Sequence, residues 1–348
     1  MKAALYHQFA GPLTIEQVDD PSPAADGAVI RVEATGLCRS DWHGWQGHDP
    51  DITALPHVPG HELAGEVLAV GNDVDAGWVG RRVTLPFVAG CGRCGDCRQG
   101  HPQVCHQQHQ PGFTGWGSYA ELVAVRYANA NLVELPEAID SVTAASLGCR
   151  LATAYRAVAA QGRLRSGQWL AVHGCGGVGL SAVMLGRALG AAVLAVDIRD
   201  EPLALARRLG AVATLNTTGC DDVGAAVHEL TGGGADVSLD AVGGRATFRN
   251  SVLSLRRRGR HVQVGLLAGA DADPPAPMGR VIGWELELLG SHGLAAHAYP
   301  ELLRMIECGR LDPKQLVERT ITLQEAPAAL AALDQAVGCG VTVITPQR

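Results

Sequence analysis

The sequence predicts an α/β protein, a doubly wound parallel sheet joined to a mostly β unit. Three observations predict it. From residue 169 onward, short apolar runs alternate with helical segments of about a dozen residues. A glycine-rich turn joins the first of these runs to the first of these helices. Before residue 140 the apolar runs are short, broken by Gly and Pro, and interrupted by a Cys-rich loop.

The chain has 348 residues, enough for two packed domains. With 47% hydrophobic and 18% charged residues it has a globular composition, not a disordered one. Its net charge of −7 argues against a general nucleic-acid or anionic-membrane partner. No apolar run approaches the roughly 18 residues needed to span a bilayer. The start, MKAALYHQFAGPLTIEQ, lacks a signal-peptide pattern, so a cytoplasmic location is expected. Thiols stay reduced there, and clustered cysteines more often bind metal or act in catalysis than form disulfides.

In the first part, AVIRVEAT (28–35), ELAGEVLAV (62–70) and RRVTLPFV (81–88) read as strands. Residues 141–160 have helical spacing. Then WLAVH (169–173), AVLAVD (192–197), AVATLN (211–216), ADVSLDAVG (235–243) and RHVQVG (260–265) read as strands between helices at 178–190, 201–210, 221–232 and near 246–256. Such alternation implies a parallel sheet covered on both faces. Residues 269–279 read as a Pro/Gly-rich loop, and ELELLGS (285–291) as a last strand. The expected domains are 1–150, with a cysteine lobe at about 90–106; 151–287; and 288–348, which returns to the first domain.

Gly174-Cys175-Gly176-Gly177-Val178-Gly179 fits G-x-G-x-x-G directly after a strand and at the start of a helix. The first Gly makes the tight turn, the second admits the pyrophosphate, and the third lets helix and strand pack closely. The phosphate then meets unpaired N–H groups at the helix start. Asp197 closes the second strand, where a carboxylate binds the ribose 2′-hydroxyl and repels a 2′-phosphate, which favours NAD over NADP. Arg199 stands close by. Val264 and Gly265, at the end of a later strand, complete the expected cofactor-binding set with these residues.

Cys91, Cys94, Cys97 and Cys105 form C-x2-C-x2-C-x7-C. Four thiolates from one loop suit a closed tetrahedral site that contributes folding energy. Zinc fits this ligand set, with an iron–sulfur cluster as the alternative. His101, His106 and His109 lie in the same loop as bystanders. Elsewhere, His61 opens G-H-E-L-A-G-E-V-L-A-V-G, and Cys38 opens C-R-S-D-W-H. With Cys149 they would make a Cys2His set that leaves one exchangeable position, the pattern of a catalytic zinc.

In the order and separation of these motifs, the chain resembles zinc-containing medium-chain alcohol dehydrogenases over nearly its full length. The resemblance implies a Rossmann nucleotide-binding domain and a GroES-like catalytic domain carrying a zinc lobe. It implies two zinc ions per chain and NAD as cofactor. By resemblance, Cys38, His61 and Cys149 ligate the catalytic zinc, with Glu62 beside the metal and able to exchange with its open ligand. Asp41 orients His61, Ser40 and His43 relay the alcohol proton, Arg39 contacts the pyrophosphate, and Thr153 lies near the nicotinamide. Trp42, Trp45, Phe87 and Trp116 are candidates for an apolar substrate pocket. Two positions depart from the pattern. Pro202 stands where many relatives carry a Lys, and the tail Gly338–Val343 lacks an Arg that often reaches the pyrophosphate.

The implied activity is reversible oxidation of primary or secondary alcohols by hydride transfer to NAD+. The implied assembly is a homo-oligomer, a tetramer in preference to a dimer. Two other functions are a zinc-free quinone-type reductase on the same fold and a non-catalytic NAD-binding scaffold. The first has no use for Cys38, His61 and Cys149, and the second none for Ser40 to His43.

Overall fold

The computed structural model describes residues 1–267, 269–334 and 338–347. The chain divides into two compact units, Met1–Ala152 with Gly293–Arg348, and Thr153–His292.

The first unit is built on a seven-stranded sheet. Strand Ala28–Leu37 pairs antiparallel with Leu63–Val70, with Thr35 opposite Leu63. Leu122–Val125 and Val341–Thr345 also pair with it, and Arg82–Thr84 extends the sheet beyond Leu63–Val70. Alternate side chains fill one core with Ile30, Val32, Leu63, Val67, Val83 and Val123. Leu5, Leu37, Val58, Tyr119 and Ile344 form another. The antiparallel register has a direct consequence for the site. It brings the end of one strand, followed by Cys38, beside the start of the next, preceded by His61 and Glu62. Gly36 N–H donates to Glu62 O at 2.8 Å and fastens that junction.

The second unit holds six parallel strands in the order Ala213–Asn216, Ala192–Asp197, Trp169–His173, Ala235–Asp240, Leu255–Gln263, Glu287–Gly290. Counted along the unit this is 3-2-1-4-5-6, a doubly wound sheet whose connections reverse between Trp169–His173 and Ala235–Asp240. Burial on both faces explains why these strands read as continuous apolar runs. The helices are punctuated by side-chain chemistry. Asp222 Oδ1 accepts the N–H of Ala225 at 2.8 Å to open Val223–Thr231. Gly210 and Gly232, at φ +116° and +70°, close two helices in the left-handed conformation.

Several elements differ from the sequence reading. The expected strand over 81–88 forms only at Arg82–Thr84. Residues 141–160 are broken into Ser141–Ala145, a wider π-helical turn Leu147–Leu151, Ala152–Tyr155, and a second π-helical segment Arg156–Gln161. The loop expected over 269–279 runs into a helix, Met278–Trp284. Within 288–348 lie the helix Tyr299–Glu307 and two strands, Val317–Thr322 and Val341–Thr345, that join the first unit's sheet. No helix among the described residues is long and apolar enough to cross a membrane.

Two histidines lie on one buried face of the parallel sheet. Burial pushes His173 down to about 3 and His261 down to about 4, so both stay neutral when folded. An unfolded imidazole takes up a proton below about pH 6.5. Between about pH 6.5 and 4 the unfolded state therefore binds more protons. The stabilisation is complete above that window and falls with pH by about 1.4 kcal/mol per unit per histidine. Hydrogen exchange of this unit between pH 7 and 5 should show that slope, and His261→Gln should roughly halve it. An unaltered slope in the variant would count against the assignment.

Candidate active site

Asp41 is the anchor of the first unit's polar centre. It sits in the helix Arg39–Trp45 at 1% exposure. Its Oδ2 accepts the Cys38 N–H at 3.0 Å and the Tyr119 hydroxyl at 2.9 Å. Its Oδ1 accepts the Gly60 N–H at 3.0 Å and bonds His61 Nδ1 at 2.8 Å. A carboxylate accepts only, so the His61 proton must lie on Nδ1. The His61 Nε2 is then a lone-pair donor, and it is buried without a hydrogen-bond partner among the described residues. Burial disfavours the charged ring, while Asp41 and Cys38 favour it and hold its pKa well above the ordinary value, so a metal at Nε2 takes the place of a proton there. Gly60 has φ +109°, and a Cβ there would lie 2.5 Å from the Tyr119 ring, so only glycine makes this turn.

Cys38, His61, Glu62 and Cys149 each offer one ligand atom, and those atoms all lie within 4.8 Å of one another. Cys149 is carried by the π-helical turn Leu147–Leu151, a distortion that often marks functional sites. The Cys149 thiol donates to Cys38 and, with His61, holds the Cys38 sulfur well below the usual thiol range. Cys149 itself is held high by its neighbouring sulfur. One buried and one half-buried cysteine sulfur, an imidazole nitrogen without a hydrogen-bond partner and a carboxylate form a donor set that a divalent zinc ion satisfies.

Glu62 is fully buried, and burial pushes it up to about 7 despite a facing arginine. That arginine is Arg150, which sequence reading did not single out. Its Nε donates to Glu62 Oε1 at 3.1 Å, its Nη2 to Oε2, and its Nη1 to Leu37 O at 3.2 Å. The available signal was a charge directly after Cys149 within the apolar stretch SLGCRLATAY.

Ser40 lies half-buried on the first turn of the helix Arg39–Trp45. His43, on the same helix, bonds His48 through the two Nδ1 atoms at 3.1 Å, and its own partial burial keeps its pKa low. Arg39 donates to Asp334 at 2.8 Å and stacks on Trp42 at 5.2 Å. Of the four aromatic candidates, Phe87 stands edge-on to His61, with ring centroids 6.0 Å apart. Trp42 and Trp45 pack against the core, and Trp116 donates to Pro56 O. Phe113, absent from the sequence reading, lies 5.3 Å from the His61 ring.

The four lobe cysteines converge as their spacing suggests, with ligand atoms within 4.8 Å. Backbone N–H groups of Cys94, Cys91 and Gln107 donate to lobe sulfurs at 3.3–3.4 Å, as suits thiolates. The base of the lobe is clamped by Asn131, which exchanges two hydrogen bonds with Gly90. His106 approaches Asp96 at 3.9 Å, and His109 bonds Thr114.

In the second unit Gly174 takes φ +91°, and Gly176 precedes the helix Gly177–Ala188, where Val178 also lies. A Cβ on Gly179 would sit 1.8 Å from Gly174 O, which is why strand and helix can meet only there at glycine. Asp197 Oδ2 accepts the Cys175 N–H at 2.7 Å, and Oδ1 accepts the Arg199 N–H at 3.0 Å. Each oxygen keeps a lone pair for a further donor. Val264 and Gly265 both donate backbone N–H groups to Asp240 O at 3.0 and 2.8 Å. The Asp240 side chain in turn accepts from Val242 N, Gly243 N and Thr247, a knot that sequence reading missed. These residues line the carboxyl ends of adjacent strands, where doubly wound sheets bind ligands. Thr153 is buried, and its hydroxyl has no hydrogen-bond partner among the described residues.

The fold and the two donor clusters together define a zinc-binding, nucleotide-linked dehydrogenase architecture, and comparison with known proteins agrees. The family model Alcohol dehydrogenase GroES-like domain matches residues 24–137, and Zinc-binding dehydrogenase matches residues 177–307. An alcohol dehydrogenase from a Moraxella species is 36% identical over 309 residues, 85% of this chain and 89% of that one. An NAD-dependent alcohol dehydrogenase from Sulfurisphaera tokodaii is 31% identical across 99% of this chain and 100% of its own. The solved alcohol dehydrogenase TADH from Thermus sp. ATN1 superposes with a TM-score of 0.90 at 32% identity, covering 99% of both chains. The chain belongs to the zinc-dependent medium-chain dehydrogenase/reductase family.

Asp41→Asn should weaken metal binding at the Cys38 cluster by about 10–100-fold. The check is zinc retained per chain after dialysis against a chelator, and full retention would remove Asp41 from this role. Gly179→Ala should cost about 1–3 kcal/mol by overpacking. It should also abolish the fluorescence rise of added NADH, whereas normal binding would refute the close-packing account.

Proposed function

We propose that this protein reversibly oxidises primary or secondary alcohols to aldehydes or ketones by hydride transfer to NAD+. The observation that carries this reading is the His61 Nε2, buried without a hydrogen-bond partner while Asp41 holds Nδ1, and set among the sulfurs of Cys38 and Cys149 and the Glu62 carboxylate. A scaffold protein has no need of an unsatisfied buried nitrogen, and a zinc-free quinone-type reductase has no need of the sulfurs.

Cys38, His61 and Cys149 would hold zinc, and the four lobe cysteines would hold a second, structural ion. Zinc, when bound, supplies a Lewis acid that brings an alcohol's pKa toward neutrality. NAD+, when bound at the Gly174–Gly179 turn, supplies the hydride acceptor. The protein's own residues do the rest. Asp41 fixes the His61 tautomer and ring plane. Phe87 and Phe113 border the His61 ring and keep water from it. Ser40 receives the alcohol proton, and His43 releases one toward solvent. Asp197 selects a free 2′-hydroxyl over a 2′-phosphate. Arg39, Arg199, Thr153, Val264 and Gly265 complete the cofactor contacts. In this reading residues 1–150 and 288–348 form the catalytic domain and 151–287 the nucleotide-binding domain, in a chain that assembles as a tetramer.

A steady-state panel of simple alcohols, benzyl alcohol and sorbitol with NAD+ and NADP+ tests the reading. Turnover is expected with NAD+ and an apolar alcohol, and a preference for sorbitol over every simple alcohol would defeat the apolar-substrate part. Cys38→Ser should abolish turnover while leaving the circular dichroism spectrum intact; retained activity would refute the catalytic-zinc assignment. Asp197→Gly should cost about 1.5–3 kcal/mol of NAD+ binding. An unchanged ratio of NAD+ to NADP+ affinity would free Asp197 of that role.

A further inference from the structure

The geometry around Glu62 poses a question the reaction itself does not answer. A carboxylate lies within 4.8 Å of all three other ligand atoms, close enough to complete a closed metal site. A catalytic zinc needs one position open. Arg150 resolves the conflict. It follows Cys149 by one residue on the same π-helical turn. All three of its guanidinium nitrogens are engaged, two on the two oxygens of Glu62 and one on Leu37 O. Leu37 directly precedes Cys38. The planar fork thus grips the carboxylate on both oxygens and ties it to the backbone beside a metal ligand. The surroundings are shaped to this pair. A Cβ on Gly36 would lie 2.1 Å from Glu62 Oε2 and 2.9 Å from Arg150 Nη2, and one on Gly148 would lie 3.0 Å from Glu62 Cα. Both side chains are buried, at 0% and 8% exposure.

We propose that Arg150 is a positioning residue that holds Glu62 away from the metal and so keeps the fourth position exchangeable. This rests on the reading that Cys38, His61 and Cys149 bind zinc. Without Arg150, the buried carboxylate loses its guanidinium partner and turns to the metal. The open site closes.

Cobalt(II) exchanged into the Cys38 site, with zinc kept in the lobe, gives a readout independent of turnover. Imidazole is the probe, because only an open site responds to it. In the wild-type protein imidazole should shift the visible bands. In Arg150→Met the bands should already differ before imidazole is added, and imidazole affinity should fall about 10-fold or more. Adding Glu62→Gln to Arg150→Met should restore imidazole binding. If Arg150→Met does not fold, Arg150→Lys keeps the charge without the fork and should show the same change at smaller size. Wild-type bands and imidazole affinity in a folded Arg150 variant would overturn the proposal, as would failure of Glu62→Gln to restore binding. Absence of any thiolate-to-cobalt absorption from the Cys38 site in the wild type would sink the zinc reading itself, and the proposal with it.

Discussion

Four donors converge on the buried carboxylate of Asp41, and the rest of the first unit's polar centre is arranged by them. A buried carboxylate without hydrogen-bond partners costs the fold dearly. With Cys38 N–H, Gly60 N–H, Tyr119 hydroxyl and His61 Nδ1–H in place, it instead fixes a helix start, a glycine turn and a ring plane at once. Tyr119 reaches it from a segment bonded to Pro59 and Gly60 backbone. The His61 nitrogen that matters for chemistry is therefore oriented by the fold before any ligand arrives, which is what preorganisation means here.

Around that anchor lie two sulfurs that a cation would let ionise together. Cys38 and Cys149 cannot both ionise beside one another without one, and Glu62 already spends its charge on Arg150. The lobe solves the same problem differently. It places four sulfurs together, enough for a complete tetrahedral shell, and sets backbone N–H donors against them. One cluster is made to bind and stay closed. The other keeps a carboxylate at hand and an arginine to restrain it.

Much of this was legible in the sequence because the physics is local. The lobe cysteines lie within one loop, so their spacing is their geometry. Gly174, Gly176 and Gly179 are needed for reasons confined to a strand, a turn and a helix. Other residues are long-range and carry no local mark. Arg150 meets Glu62 across 88 positions, and Tyr119 meets Asp41 across 78. Phe113 and His48 are ordinary loop residues until the chain folds them beside His61 and His43. Asp240 lies unmarked within the strand ADVSLDAVG, yet it is fully buried and ties two strand ends together. The strands Val317–Thr322 and Val341–Thr345 were also missed, because their pairing partners are each other and a strand 300 residues earlier.

Asp197 carries a second duty that bears on how this site can be altered. Its Oδ2 supports the Cys175 N–H inside the glycine turn, and its Oδ1 supports Arg199 at the next helix. The residue we propose as the reader of the nucleotide's sugar is thus also a strut of the Gly174–Gly179 turn. Selection for a different nucleotide, in nature or in the laboratory, cannot simply delete the acid. It must replace a support as well as a charge, which favours Asn or Ser at this position over smaller side chains as the first step along such a route.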